Sequence, residues 1–301
     1  MTTKLYLDPA ADLNLILWGD PQIARIHPDR EENLAAACET VAAADGRADA
    51  LILLGDVAEY GAASEYATVQ RHLAVAARNT DRIFCVSGNH DIRARSFRRQ
   101  CARFSDFLAG VPNGVPNPPG CYWFPAVIKN YRFLFMGADK TCFEGTYLSP
   151  AQLSWLAEEL DAAKEEGKPA FVFNHQPLLH TNGLPATWGG SGSWRGSVGD
   201  QNDALRSVFK RHGGEIVYVT GHLHAGISRC SVEHSGRLHM INVPTVGCPN
   251  HPENDAPAQG FVLRVYQNRI EGRGILFRTG EEMDESIPNA RFSIPLPCES
   301  K

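Results

Sequence analysis

The stretch Glu215-Ile-Val-Tyr-Val-Thr-Gly-His-Leu-His224 decides how the chain is read. Glu215 to Thr220 is largely apolar and β-branched, the composition of a buried strand, and Gly221 ends the run. His222 and His224 then straddle a bend, so their imidazoles can reach two metal ions or two sides of one pocket. The pair stands just past the C-terminal end of a strand, where open α/β sheets place their ligands.

The same grammar occurs at four more strand ends. Leu13–Trp18 leads into Gly19, Asp20, Pro21 and Gln22; Ala50–Leu54 leads into Gly55, Asp56, Val57, Ala58 and Glu59. Arg82–Val86 leads into Gly88, Asn89, His90 and Asp91, and Ala170–Phe173 into Asn174 and His175. Taken singly, each has an ordinary explanation: an Asp after a strand caps a helix or makes a turn, and a lone His is usually structural. Five strand ends delivering carboxylate, amide and imidazole groups point instead to one common centre. The set Asp20, Gln22, Asp56, Asn89, His175, His222 and His224 contains no thiolate, which favours Mn, Fe, Zn or Mg over a thiolate zinc site. Seven donors exceed one tetrahedral ion. They suit two divalent or trivalent ions about 3.5–4 Å apart that share a bridging carboxylate. Such a pair generates hydroxide from bound water and clamps both oxygens of an in-line phosphoryl displacement.

In order and spacing these blocks resemble the five signature blocks of the calcineurin-like metallophosphoesterases, between residues 19 and 224. The resemblance implies an α/β fold in four layers, α/β/β/α, with helices outside two packed mixed β-sheets and the metals at one edge. It implies that Asp20, the residue at position 22, Asp56 and His224 hold one ion. Asp56, Asn89, His175 and His222 would hold the other, with Asp56 bridging. His90 would bind no metal and would stabilise the transition state or protonate the leaving oxygen. Glu59 would orient His90, in a place where the family more usually has Asp. The first block departs from the pattern, because Gln22 stands where the family usually has His. An amide oxygen is a weaker and harder donor than imidazole. Either the first ion is weakly held, or Gln22 does not ligate and water fills its place. The Asp-Pro-Gln form occurs in a branch of the family that includes protein phosphatases. Pro21 biases Asp20 towards an extended conformation.

Composition bounds the rest. The chain has 301 residues, 43% hydrophobic and 21% charged, which is ordinary for a globular enzyme. A net charge of −5 argues against general nucleic-acid binding. No apolar run approaches the ~18 residues of a membrane span, and the N-terminal residues lack a signal-peptide core, so a cytoplasmic location is expected. The 8 cysteines form no Cys-x-x-Cys pair and no framework spacing.

Strand–helix alternation predicts parallel pairing in the first half. Helices are expected over 29–44, 64–78, from Ser149 to Gly167 and around Leu205–Phe209, with Ser149 and Gln152 forming a capping box. Residues 122–129 and 131–137 read as a hairpin about Asn130. The blocks span most of the chain, so residues 1–301 are expected to form a single domain. Blocks over 13–224 would build the metal site, and alternating antiparallel strands over 225–301 would complete the second sheet. Three side chains on loops are candidates for substrate: Arg93, whose fork suits phosphate, and Trp194 and Arg195 in the Gly- and Ser-rich loop 182–199.

The reading is a binuclear metal-dependent phosphoric ester hydrolase acting through metal-bound hydroxide on a phosphorylated small molecule or phosphoprotein. It leans to a phosphomonoesterase on the Asp-Pro-Gln block. A phosphodiesterase, cyclic nucleotides included, is the alternative. Gln22 motivates a reading of another class, a non-catalytic metal- or phosphate-binding module, against which His90 argues because a pure binder has no use for a positioned acid.

Overall fold

A computed structural model describes residues 4–188, 194–251 and 254–297. Strands β1 (Leu13–Trp18), β2 (Ala50–Leu53) and β3 (Ile83–Cys85) lie parallel in one sheet. Helices α1 (Pro28–Ala42) and α2 (Ala63–Ala76) cross between them, followed by the short α3 (Asn89–Ile92) and α4 (Phe97–Ala109). The expected hairpin forms as β4 (Phe124–Ile128) and β5 (Tyr131–Phe135) and opens the second sheet. Parallel β6 (Ala170–Phe173) and β7 (Ile216–Thr220) continue it, each entered from a helix, α5 (Pro150–Glu165) and α6 (Asn202–His212).

Alternation along fully buried strands explains the four layers. In β1, Leu13, Leu15 and Leu17 join a cluster between the sheets, while Ile16 and Trp18 pack with residues of α1, α2 and α4. In β6, Phe171 and Phe173 face the same central cluster, while Ala170 and Val172 pack with α5 and α6. A strand covered on both faces needs apolar residues at every position, with period 2 deciding which layer each enters. The result is an α/β/β/α sandwich of two mixed sheets.

The strands after His224 do not form one antiparallel set. β8 (Val232–Ser235) and β9 (Leu238–Asn242) extend the second sheet, with β9 parallel to β7. β10 (Gln259–Val265), β11 (Arg269–Leu276), β12 (Glu281–Glu282) and β13 (Arg291–Pro295) join the first sheet. Every residue of β10 is buried, and it pairs antiparallel with β1 along the edge that the parallel trio leaves open. Alternation shows which faces are apolar but not which neighbour a strand takes. The capping box at α5 is half realised. Ser149 accepts from Gln152 N, but the Gln152 amide turns inward to Gly137 and Asp139. Among the described residues no helix is long and apolar enough to cross a membrane.

Candidate metal centre

The strand-end blocks converge at one edge of the sandwich, and the backbone bends sharply to bring them there. Asp20, Gln22, Asp56, His222 and His224 all have positive φ, between 39° and 71°. Non-glycine residues adopt this region at a cost of about 1–3 kcal/mol each, and such strain collects at functional sites. Asp20 is therefore not extended as Pro21 suggested: the turn that delivers its carboxylate overrides the local preference. Gly55 (φ 97°) and Gly88 serve the same packing, since a Cβ on Gly55 would strike the His175 ring and one on Gly88 the Asp56 carboxylate.

His175 and Asp56 lie at the centre, both almost wholly buried. His175 Nδ1 donates to the Leu54 carbonyl at 2.6 Å, which leaves Nε2 as the acceptor nitrogen. Around Nε2 lie Asp56 Oδ2 at 3.2 Å, Asn89 Oδ1 at 3.2 Å and His222 Nδ1 at 3.1 Å. His222 Nε2 is in turn 3.3 Å from the Arg195 carbonyl, which turns its Nδ1 inward. Lone pairs on these atoms face one another, an arrangement that needs a cation or added protons. Ligand atoms of Asp56, His175 and His222 all lie within 4.8 Å of one another.

The flanking pair is Asp20 and His224. Asp20 Oδ2 accepts from His222 N at 3.0 Å. Oδ1 is buried and accepts no hydrogen bond, although His224 Nε2 is 3.3 Å away and His175 Nε2 3.9 Å. An orphaned carboxylate oxygen beside two imidazoles fits a metal ligand whose partner is the ion. Electrostatics agree. Burial alone would keep His175 neutral, but Asp56 and Asp20 outweigh it and lift the ring to about 10. Burial also opposes charge on Asp56, yet His175 and His90 hold it well below the carboxylate range. His222 is pushed well down by burial and then by His175. The cluster calls for positive charge between its carboxylates.

Gln22 stands apart from this convergence. Its Oε1 accepts from Cys248 Sγ at 2.9 Å, and its Nε2 is 3.0 Å from His90 Nε2. His90 donates its backbone N–H to Asp56 Oδ1 at 2.8 Å, while its Nδ1 is 3.0 Å from the Glu59 carboxylate. Glu59 also pairs with Arg30 at 2.8 Å. Burial works against ionisation of Glu59, but His90 and Arg30 bring it down to about 2. Burial likewise disfavours His90 protonation; Asp56 and Glu59 overcome it and raise the ring above its ordinary value, with Arg93 opposing.

A cavity of about 410 Å³ opens over the cluster, bounded by Asn89, His90, Glu144, Trp188 and His251 among others. Arg93 reaches the site from behind, 2.8 Å from His90 Nδ1 and 3.4 Å from Glu144. Trp194 and Arg195 line a neighbouring cavity instead, and only the Arg195 carbonyl touches a candidate ligand. Trp188, an aromatic of the loop 182–199 singled out in the sequence, stacks on His222 at 4.4 Å between ring centroids. Sequence reasoning missed Glu144, which accepts from Asn89 Nδ2 at 3.3 Å. It also missed Asp91, which accepts from the backbone of Gly88, Val57 and Ala58 and ties two blocks together. No periodicity marks Glu144, but the Asp after His90 stood within a block already singled out.

A sandwich with carboxylates and imidazoles gathered at one strand edge defines a metal-dependent hydrolase architecture. The chain belongs to the calcineurin-like phosphoesterase family, whose model matches residues 13–226, and it is a phosphoric ester hydrolase. A dimetal phosphatase from Danio rerio shares the fold, with a TM-score of 0.68 at 17% identity over 95% of this chain and 100% of that one. A purple acid phosphatase from yellow lupin (Lupinus luteus) superposes with a TM-score of 0.64 at 13% identity, covering 94% of this chain and 53% of that one. No curated protein matches the chain.

Proposed function

We propose that residues 1–301 act as one domain that hydrolyses phosphoric esters at a binuclear centre, with phosphomonoesters as the preferred class. The observation that carries this is the orphaned Asp20 Oδ1 facing His224, beside the mutually facing acceptors of Asp56, Asn89, His175 and His222. Asp20, Asp56 and His224 would hold one ion, and Asp56, Asn89, His175 and His222 the other. Gln22, engaged by His90 and Cys248, would leave its coordination place to water. Bound there, Mn, Fe, Zn or Mg would supply Lewis acidity and water of lowered pKa.

The protein side of the reaction belongs to His90. Glu59 keeps its ring oriented and favours the protonated form, so that Nε2–H is the proton available to a leaving oxygen. Asp56 fixes the backbone of His90 and so couples the position of the acid to the metal cluster. Arg93, beside His90, adds positive charge near the transferring group. The two phosphatase neighbours, by their names, are in keeping with a monoesterase.

Glu144 favours the second reading, a phosphodiesterase. It is a half-buried carboxylate lining the cavity, only partly balanced by Arg93 at 3.4 Å, and it opposes the second charge of a monoester dianion. The test is metal analysis of the purified chain with parallel assays on p-nitrophenyl phosphate and its bis ester in added Mn. Two ions per chain and faster monoester turnover support the proposal. Faster diester turnover gives the class to Glu144, and metal-free protein inactive in Mn defeats both readings.

A further inference from the structure

A single apolar side chain left in water needs no explanation, but two that are exposed here border the same cavity. Phe143 is 73% exposed and Trp194 51% exposed. Both line a cavity of about 460 Å³ that shares Glu144 with the cavity over the metal cluster. That volume lies within the range of ligand pockets, roughly 300–1,000 Å³. The shared wall is fixed to the cluster from two directions. Asn89 donates to Glu144, and Gln176, next to His175, donates to the Glu144 carbonyl at 3.1 Å. On the other side, the Arg195 carbonyl meets His222.

Each ring has a polar neighbour. The Arg93 guanidinium lies 5.3 Å from the Phe143 centroid, and Trp194 Nε1 donates to Asp200 at 2.9 Å. An aromatic side chain with open surface offers contact area at a low entropy cost, the property of a stacking platform. Lys140 and Arg195 line the same cavity, so its walls suit a flat ring with polar edges better than an alkyl chain.

We propose that this cavity receives the organic group of the ester, and that the group it takes carries an aromatic or heteroaromatic ring. The inference rests on the phosphoester reading of the neighbouring centre. Its test is calorimetric titration of the Mn-loaded chain with benzylphosphonate and with ethylphosphonate. Neither ligand is hydrolysed, and they present the same anionic head. Benzylphosphonate should bind about tenfold more tightly. Phe143→Ala and Trp194→Ala should each weaken benzylphosphonate and leave ethylphosphonate unchanged, while Trp194→Phe retains the preference. Equal affinity of the two ligands, or equal weakening of both in the alanine variants, overturns the inference alone. Binding of neither ligand overturns the phosphoester reading beneath it as well.

Discussion

On the side of the second sheet, His175 and His222 each have one ring nitrogen tied to a main-chain carbonyl; the other nitrogen of His175 meets Asp56, and that of His222 meets His175. The side of the first sheet is finished differently. Asp20 leaves an oxygen without a partner, and Gln22, in the usual place of a ligand, spends its amide on Cys248 and His90. One half of the site is held in place by the backbone; the other leaves a buried carboxylate oxygen without a hydrogen bond. On the proposed ligand set, a single substitution in a signature block would move a residue from holding an ion to steadying the acid beside it.

The comparison can be broken most directly at Asp56, the donor the two halves would share. Asp56→Asn should lower kcat on the order of 10³-fold and deplete both ions in metal analysis. Retention of one ion at wild-type affinity would mean that the halves do not meet there. His90→Ala belongs to neither half. It should cost on the order of 10²-fold in kcat with metal content intact, and lost metal would assign it a ligand role.

Glu59→Gln probes the support behind His90 in metal-free protein. Glu59 lies below its ordinary 4.5, at about 2, so its contribution is present above pH 4.5 and is lost as the pH falls towards 2. His90 is raised above 6.5, so its contribution is complete below pH 6.5 and is lost as the pH climbs through its elevated value. The destabilisation by Glu59→Gln, about 1–3 kcal/mol in urea unfolding, should therefore be greatest between pH 4.5 and 6.5. A pH-independent loss would show that the pair is not formed.

Gln22→Ala sharpens the contrast between the halves. If the side chain steadies His90, kcat should fall about tenfold with both ions bound as before. Weaker binding of one ion would return Gln22 to the ligands. Trp188→Ala removes the ring stacked on His222. About a threefold loss of Mn affinity is expected, and no change would confine Trp188 to the cavity wall.

Much of this was legible before the structure. The strands announced themselves by apolar runs, and the donors by standing at their ends; the four layers followed from the family resemblance that those blocks carry. What could not be read depended on distant partners. β10 alternates no differently from a second-sheet strand, and only its pairing with β1 places it. Glu144 sits in a loop with no motif and reaches the site because Gln176 and Asn89 hold it there. Gln22 was visible as an anomaly, but its two partners, 68 and 226 residues away along the chain, were not.

Asp20 and Asp56 follow strands of the first sheet, whereas His175, His222 and His224 follow strands of the second. An ion seated between them would be a rivet through two plates that at this edge are otherwise joined by apolar packing and by the His175–Leu54 and His222–Asp20 hydrogen bonds. Whatever binds the native state and not the unfolded chain adds stability that grows with the logarithm of its free concentration. Scarcity of metal would then shorten the lifetime of the molecule as well as slow its chemistry, and the same few atoms would set both.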